Sequence, residues 1–294
     1  AASLFLTSPT TDGCSRSWKR SATFCPYTSE RPSKLVISRK LNDRIRLRFS
    51  GLQPESSHAH KFRNKTMNDQ ESTLLERCRR ELFSAVLGDV MDTLGYMCQF
   101  LPPQVQPLRE DMVVCGRAMT VLEADDTGGE GPDRANALFN QPFGLMLRAL
   151  DDLRANEVYI CSGASPRYAL WGELMSTAAR NRGAVGAVVN GYSRDTRGIL
   201  QLGFPTFSIG RYAQDQRPRG KVVDFRCRIL FGEVSVEPGD LVFGDIDGVC
   251  IVPRAIEDEV ISKALEKVQG ERQVFNSIQG GLGAQAAWDK FGIM

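Results

Sequence analysis

An arginine followed directly by an aspartate, Arg194-Asp195, brings together the two side chains that a site for a carboxylate or an enolate needs. The guanidinium is a two-pronged charged donor, and the carboxylate is a hard oxygen ligand for Mg²⁺ or Mn²⁺. Upstream, Trp171-Gly172-Glu173-Leu174-Met175 opens a helical pattern in which Leu174 with Ala178, and Met175 with Ala179, share one face, and Gly183 supplies the stop. Gly172 leaves the start of that helix uncapped, so the N–H groups of residues 172 to 175 form an anion site where a carboxylate could dock. The intervening Ala187-Val188-Val189-Asn190-Gly191 reads as strand and turn. Arg194 and Asp195 then follow the C-terminal end of a strand, where ligands gather in α/β sheets. Taken alone, an Arg-Asp pair at a strand end is most often only a surface ion pair.

Other chemistries are argued against by what the chain lacks. Its two histidines, His58 and His60, both lie in the N-terminal extension, so a Ser-His-Asp triad, a Cys-His pair or a His-rich zinc site would need that extension to fold back. Lysines of the body fall mostly on polar stretches and offer no obvious Schiff-base nucleophile, which favours a metal. Gly183, Gly186 and Gly191 lie after a helix and around a strand, the reverse of a dinucleotide fingerprint, and no GxxxxGK[ST] occurs, so NAD and ATP are not expected. Asp245-Ile246-Asp247 has calcium-like spacing but lacks the rest of a calcium loop, and reads as a tight turn between strands.

These residues need an α/β frame. Of 294 residues, 42% are hydrophobic and 24% charged, which allows a sizeable core. Residues 1–64 carry 12 Lys/Arg against 4 Asp/Glu, whereas the remainder carries 25 against 31. A net-acidic body gives no footprint for nucleic acid, and no apolar run is long enough to cross a bilayer. Eight cysteines without a CxxC pair, several inside apolar runs, suit buried reduced thiols. Residues 1–65 read as a poorly ordered basic, Ser/Arg-rich extension. A cytoplasmic location is expected, or a mitochondrial one if the extension is a transit peptide. Residues 66–294 read as one domain. Helices are expected from near Asn68 (capped by Asp69 or Ser72) through Phe83, over 85–94, 144–149 and 173–182, and from 255 to 273. Strands are expected over 113–122, 157–161, 185–189, 206–209, 222–236 and 241–253, giving an α/β fold with a mixed sheet.

Three ordered blocks carry a resemblance to a known family: ALWGELMSTAARNRGAVGAVVNGYSRD (169–195), LGFPTFSIG (202–210) and VEPGDLVFGDIDGVCIVPR (236–254). From about Leu82 to Val268 the chain resembles the RraA-like family, which includes 4-hydroxy-4-methyl-2-oxoglutarate/4-carboxy-4-hydroxy-2-oxoadipate aldolases, oxaloacetate decarboxylases and a regulator that binds and inhibits an endoribonuclease. The resemblance implies a swivelling β/β/α fold assembled as homotrimers or homohexamers, with sites near subunit contacts. It implies that substrate lies on the backbone of Gly172, Glu173, Leu174 and Met175 and on the Arg194 side chain. Asp195 would be the ligand of a divalent metal, Mg²⁺ or else Mn²⁺, with Glu173, and Glu271 from a neighbouring subunit, holding water at the metal. The expected function is that of a metal-dependent lyase cleaving a carbon–carbon bond of a small 2-oxo acid. The alternative is a non-enzymatic regulatory protein of the ribonuclease-inhibitor type, which would have no need of the Gly172–Met175 loop with Arg194-Asp195. Methyltransferase chemistry is not expected, because no glycine-rich loop after a first strand is present to hold S-adenosylmethionine. One departure is Asn190, where relatives usually carry Asp, which removes a negative charge expected close to the site. Gly128-Gly129-Glu130-Gly131 falls outside the shared blocks and reads as a surface turn.

Overall fold

A computed structural model describes residues 57–126, 128 and 137–293. The greater part of the basic extension, and Gly129-Glu130-Gly131, lie outside them. Helix α1 (Ser57–Glu81) begins well before the expected start near Asn68, so Asp69 and Ser72 stand inside it rather than at its cap. Its first turns have no apolar stripe, and periodicity therefore carries no signal there. Leu75 and Cys78 are buried along its later turns. The helix breaks at Leu82-Phe83, with Phe83 extended (φ −142°, ψ 158°), and α2 (Ser84–Thr93) follows.

The remaining elements alternate as an α/β chain must. They run β1 (Gln106–Pro107), β2 (Val114–Asp125), α3 (Met146–Asp152), β3 (Glu157–Ser162), β4 (Ala169–Trp171), α4 (Glu173–Asn181) and β5 (Gly186–Val189). Then come β6 (Tyr192–Ser193), α5 (Thr196–Leu202), β7 (Thr206–Ser208) and β8 (Gly210–Arg211). The stretch 222–236 is not one strand but β9 (Gly220–Phe225), β10 (Ile229–Phe231) and β11 (Val234–Val236). Arg226 at φ 55° and Gly232 at φ 63° make the two breaks. The hairpin β12 (Leu241–Asp245) and β13 (Gly248–Val252) turns at Ile246-Asp247, the tight turn expected there. Helices α6 (Glu257–Gln279) and α7 (Ala284–Phe291) close the chain.

The main sheet is mixed, in the order β1-β7-β5-β3-β2-β12-β13. Strands β2, β3, β5 and β7 are parallel neighbours; β1 and β12 run antiparallel to theirs. Strand β2 pairs with β12 through its first half and with β9 through its second, with a register shift between Leu122 and Glu123. Every residue of β3 is buried, as expected of a strand covered on both faces. Tyr159 and Cys161 enter the core beneath α3, α4 and α5, while Val158 and Ile160 enter the opposite one with Phe207 and Phe231. A third cluster packs α1, α2 and α6 on the hairpin through Leu75, Leu87, Phe243 and Val260. Cys78, Cys115, Cys161 and Cys250 are buried free thiols, as their apolar contexts suggest. No helix among the described residues is long and apolar enough to cross a membrane.

One polar contact fixes the third cluster. The buried Asp245 carboxylate accepts the Ser84 backbone N–H and the Ser84 hydroxyl, each at 2.7 Å, and the Asp247 N–H at 3.0 Å. It thus caps α2 from the hairpin turn. Asp245→Ala would leave buried donors unpaired, at a cost of roughly 2–3 kcal/mol. Urea unfolding should show this as a lower midpoint with an unchanged slope.

Candidate functional site

Three short parallel strands, β4, β6 and β8, form a separate sheet that carries the site. Between β5 and Arg194 the sequence had suggested only a polar turn, but β6 intervenes, so Arg194 leaves a strand end in this second sheet. Strand β4 ends at Trp171, whose ring lies 4.8 Å from Tyr159 and stacks on Phe204 at 6.2 Å. Its indole N–H donates to Ser176 Oγ (2.7 Å), and that hydroxyl donates to the Gly172 carbonyl (3.0 Å). The first helical bond of α4, Ser176 N–H to the Gly172 carbonyl, is also 3.0 Å. No side chain caps α4, so the N–H groups of Glu173, Leu174 and Met175 point out of the helix start.

Strand β6 is registered with Ser193 opposite Trp171, and the Arg194 N–H donates to the Trp171 carbonyl at 2.9 Å. Asp195 adopts the left-handed conformation (φ 54°, ψ 32°) and begins α5. This is a conformation that Asp tolerates better than most residues. Its side chain makes no capping bond. A Cβ placed on Gly172 would stand 3.0 Å from Asp195 Oδ2 and 3.6 Å from Arg194 Cγ, so the absence of a side chain there lets both residues close on the helix start. Arg194 Nε is 3.6 Å from Asp195 Oδ2, and Nη1 is 3.3 Å from Asp215 Oδ1. Both exceed the usual length of a charged hydrogen bond, so the guanidinium still has donor capacity for a ligand.

These groups line a cavity of about 270 Å³. Gly172, Leu174, Met175, Arg194 and Asp195 are in its wall, joined by Asp215 and Gln216 and by an apolar side built from Phe143, Met146, Leu147 and Leu150. Leu147 and Leu174 are 57% and 83% exposed, so apolar surface surrounds the polar end. Glu173 is not among the lining side chains; its carboxyl packs over Gly198 of α5, where a Cβ would meet it at 2.1 Å. Asn190 is not a lining residue either, and its amide donates to Ser162 Oγ at 3.0 Å. Glu271, on α6, lies 3.8 Å from Lys267 and away from this cavity. Asp215, Gln216 and the α3 wall were not evident from sequence. The loop holding Asp215-Gln216 has no periodicity, and the β6–β8 pairing and the Ala169–Asp215 bridge bring it to the site.

No three His, Cys, Asp or Glu side chains among the described residues converge on a metal cage. The half-exposed Asp195 carboxylate nonetheless suits Mg²⁺, which is commonly held by one or two carboxylates with water and substrate oxygens as the other ligands.

Residues 84–251, more than half of the chain, match the RraA-like (Aldolase/RraA) family model, and the chain belongs to that family. Over 190 residues it is 30% identical to a Halalkalibacterium halodurans protein named "Putative 4-hydroxy-4-methyl-2-oxoglutarate aldolase", covering 64% of this chain and 80% of that one. Protein DlpA of Legionella pneumophila is 24% identical over 210 residues; the match takes in 71% of this chain but spans only 32% of that protein. Among solved structures, an uncharacterized protein from Pseudomonas syringae superposes with a TM-score of 0.62 at 26% identity, covering 74% of this chain and 92% of that one. RraAS2 of Streptomyces coelicolor, described as an unusual member of the RNase ES inhibitor RraA family, gives 0.58 at 22% identity, covering 68% and 94%. The fold is therefore RraA-like, α/β with a mixed sheet.

Behind the cavity lies an acid that sequence reasoning passed over. Glu123 of β2 is 2% exposed, and its Oε2 accepts a 2.6 Å hydrogen bond from Gln216 Nε2. Burial pushes its carboxyl from 4.5 up to about 8, against the opposing effect of the Gln216 bond. The native state therefore holds this proton where the unfolded chain has released it. Stability should fall as pH rises from about 4.5 towards 8, and not further above it, on account of this group. Glu123→Gln should remove that slope, leaving the variant progressively more stable than wild type as pH rises through this window. Chemical denaturation at pH 5, 6, 7 and 8 measures the difference.

Proposed function

We propose that this chain is a divalent-metal-dependent carbon–carbon lyase of 2-oxo acids. The reaction is retro-aldol cleavage of a 4-hydroxy-2-oxo acid, of the 4-hydroxy-4-methyl-2-oxoglutarate type, to pyruvate, or decarboxylation of oxaloacetate, or both. The observation that carries this reading is the convergence of Arg194, Asp195 and the uncapped start of α4 on one cavity. Relatives named "Putative 4-hydroxy-4-methyl-2-oxoglutarate aldolase" support it.

Charge balance argues in the same direction. Asp195 and Asp215 together outweigh Arg194 by one unit, and a substrate carboxylate adds to the excess. A divalent cation joining them would offset that excess and favour anion binding. Mg²⁺, or Mn²⁺, held by Asp195 would polarise the 2-oxo group and stabilise negative charge on its oxygen. Arg194 and the N–H groups of residues 173–175 hold the substrate carboxylate and the enolate charge as it develops, which is where preorganised donors contribute most. The Phe143–Leu150 side keeps water away from them and strengthens these interactions. Retro-aldol cleavage also needs a base for the 4-hydroxyl proton, whereas decarboxylation needs none. Glu173 has its carboxyl over Gly198 rather than in the cavity wall, so it would act on that proton only through a bridging water. Assembly as a homotrimer or hexamer belongs to the same reading. It would cover the exposed Leu147 and Leu174 and bring Glu271 from a neighbouring subunit.

The test follows pyruvate release from oxaloacetate and from 4-hydroxy-4-methyl-2-oxoglutarate. Turnover should require Mg²⁺ and be abolished by EDTA. Arg194→Ala should lower kcat/KM by about 10²- to 10³-fold, the scale for losing a preorganised charged donor. Asp195→Ala should abolish the response to added Mg²⁺. Turnover that ignores EDTA or both substitutions would sink the mechanism. No turnover across a panel of 2-oxo acids would favour a regulatory binding protein.

A further inference from the structure

Glu123 is built into the back of the cavity in a way that packing alone does not call for. The register shift between Leu122 and Glu123 marks a bulge in β2, and bulges commonly re-aim a side chain. Its only hydrogen bond from a side chain among the described residues comes from Gln216, a member of the cavity wall. Glu123 Oε1, Tyr159 Oη and Ser193 Oγ are all buried without a hydrogen-bond partner among the described residues, and Ser193 directly precedes Arg194. An amide or apolar side chain would fill this position without the cost of an ionisable group.

We propose that Glu123 is a positioning residue for the anion cavity: as a neutral acid it orients the Gln216 amide in the wall, and when it ionises the cavity loses affinity for anions. The proposal rests on the reading of the cavity as a 2-oxo acid site. The groups that face Glu123 do not supply a compensating positive charge. Tyr159 and Cys161 of β3 are held neutral by burial, and so is Tyr168, each raised further by the Glu123 charge itself. Lys221 of β9 commits its Nζ to the Pro142 and Arg217 carbonyls (2.9 and 2.8 Å) and lies 3.6 Å from Asp126. Asp125, on the same strand as Glu123, is engaged by Ser165, Tyr168 and Arg167. Asp215, next to Gln216, already balances Arg194. A charge on Glu123 would thus add to an acidic cavity with one hydrogen bond between them. Anion binding must in turn raise the affinity of Glu123 for its proton, because the linkage is reciprocal.

The test uses oxalate, a planar dianion that mimics the enolate of pyruvate and keeps its charge across the range, titrated calorimetrically into the full chain with Mg²⁺ at pH 7 and pH 9.5. Wild type should bind at least about fivefold more weakly at the higher pH. Glu123→Gln should keep the pH 7 affinity and hold it at pH 9.5. Wild type alone gives a second readout: titrations at pH 8.5 in buffers of differing ionisation enthalpy should show net proton uptake on binding. An alkaline loss shared equally by wild type and Glu123→Gln, or the absence of proton uptake, would overturn the inference while leaving the 2-oxo acid reading intact. Failure of wild type to bind oxalate or pyruvate at any pH would overturn both.

Discussion

The hydrogen bond from the Arg194 N–H to the Trp171 carbonyl is the contact on which the site depends. It joins the ends of β4 and β6, two parallel strands each followed by a helix. At such ends the chain exposes N–H groups on one side and outgoing side chains on the other. Here that places the uncapped start of α4 beside Arg194 and Asp195. The bond is short-range, but its geometry is set from below. Trp171 is fully buried, wedged between Tyr159 and Phe204 and tied by its indole to Ser176. A shift of the indole would move both the helix start and the strand that carries the guanidinium.

The second constraint is the close approach at Gly172. Its backbone is extended, a conformation open to any residue, so the requirement for glycine is one of space rather than of dihedral freedom. A methyl group there would press on Asp195 Oδ2 at 3.0 Å. Asp195 is held in the left-handed region by its place at the start of α5, with Gly198 and Ile199 donating to its carbonyl. Its carboxylate is not used for capping and is available to a ligand. Strained backbone of this sort costs on the order of 1–3 kcal/mol and persists when surrounding structure determines it. In this case the surroundings are the β4–β6–β8 sheet.

How much of this could be read from the chain varies with distance along it. The helix at 173, its glycine start and the Arg-Asp pair were legible because they are local: a 3.6-residue stripe, a missing side chain and two adjacent charges. The buried strands β3, β5 and β7 were legible as apolar runs, and the hairpin turn at Asp245–Gly248 as a strand break. The three-way split of 222–236 was not, since its breaks rest on a non-glycine residue at positive φ, Arg226, and on Gly232 inside an otherwise apolar run. Nor was the second sheet, whose strands are two or three residues long. Asp215, Gln216 and the α3 wall reach the cavity only through topology. Asn190 shows the opposite failure. The position where relatives usually carry Asp, and which the resemblance puts close to the site, holds an amide directed at Ser162 on the neighbouring strand, outside the cavity wall.

Glu123 connects this architecture to the free energy of the fold. A buried carboxyl with one oxygen unpartnered among the described residues weakens the native state over much of the neutral pH range, and it does so on a strand paired with β3, β9 and β12. The same strand also carries Arg117, whose guanidinium is bonded to both Glu71 and the buried Glu257. There the charge is matched and the ion pairs tie β2 to α1 and α6. The two ends of β2 therefore treat a buried ionisable group differently. At Arg117 it is neutralised by partners on helices, as a structural role requires. At Glu123 it is left neutral, with the amide of a cavity-wall residue, Gln216, for a partner. The fold has the means to satisfy a buried ionisable group, and it satisfies the one that stands away from the site.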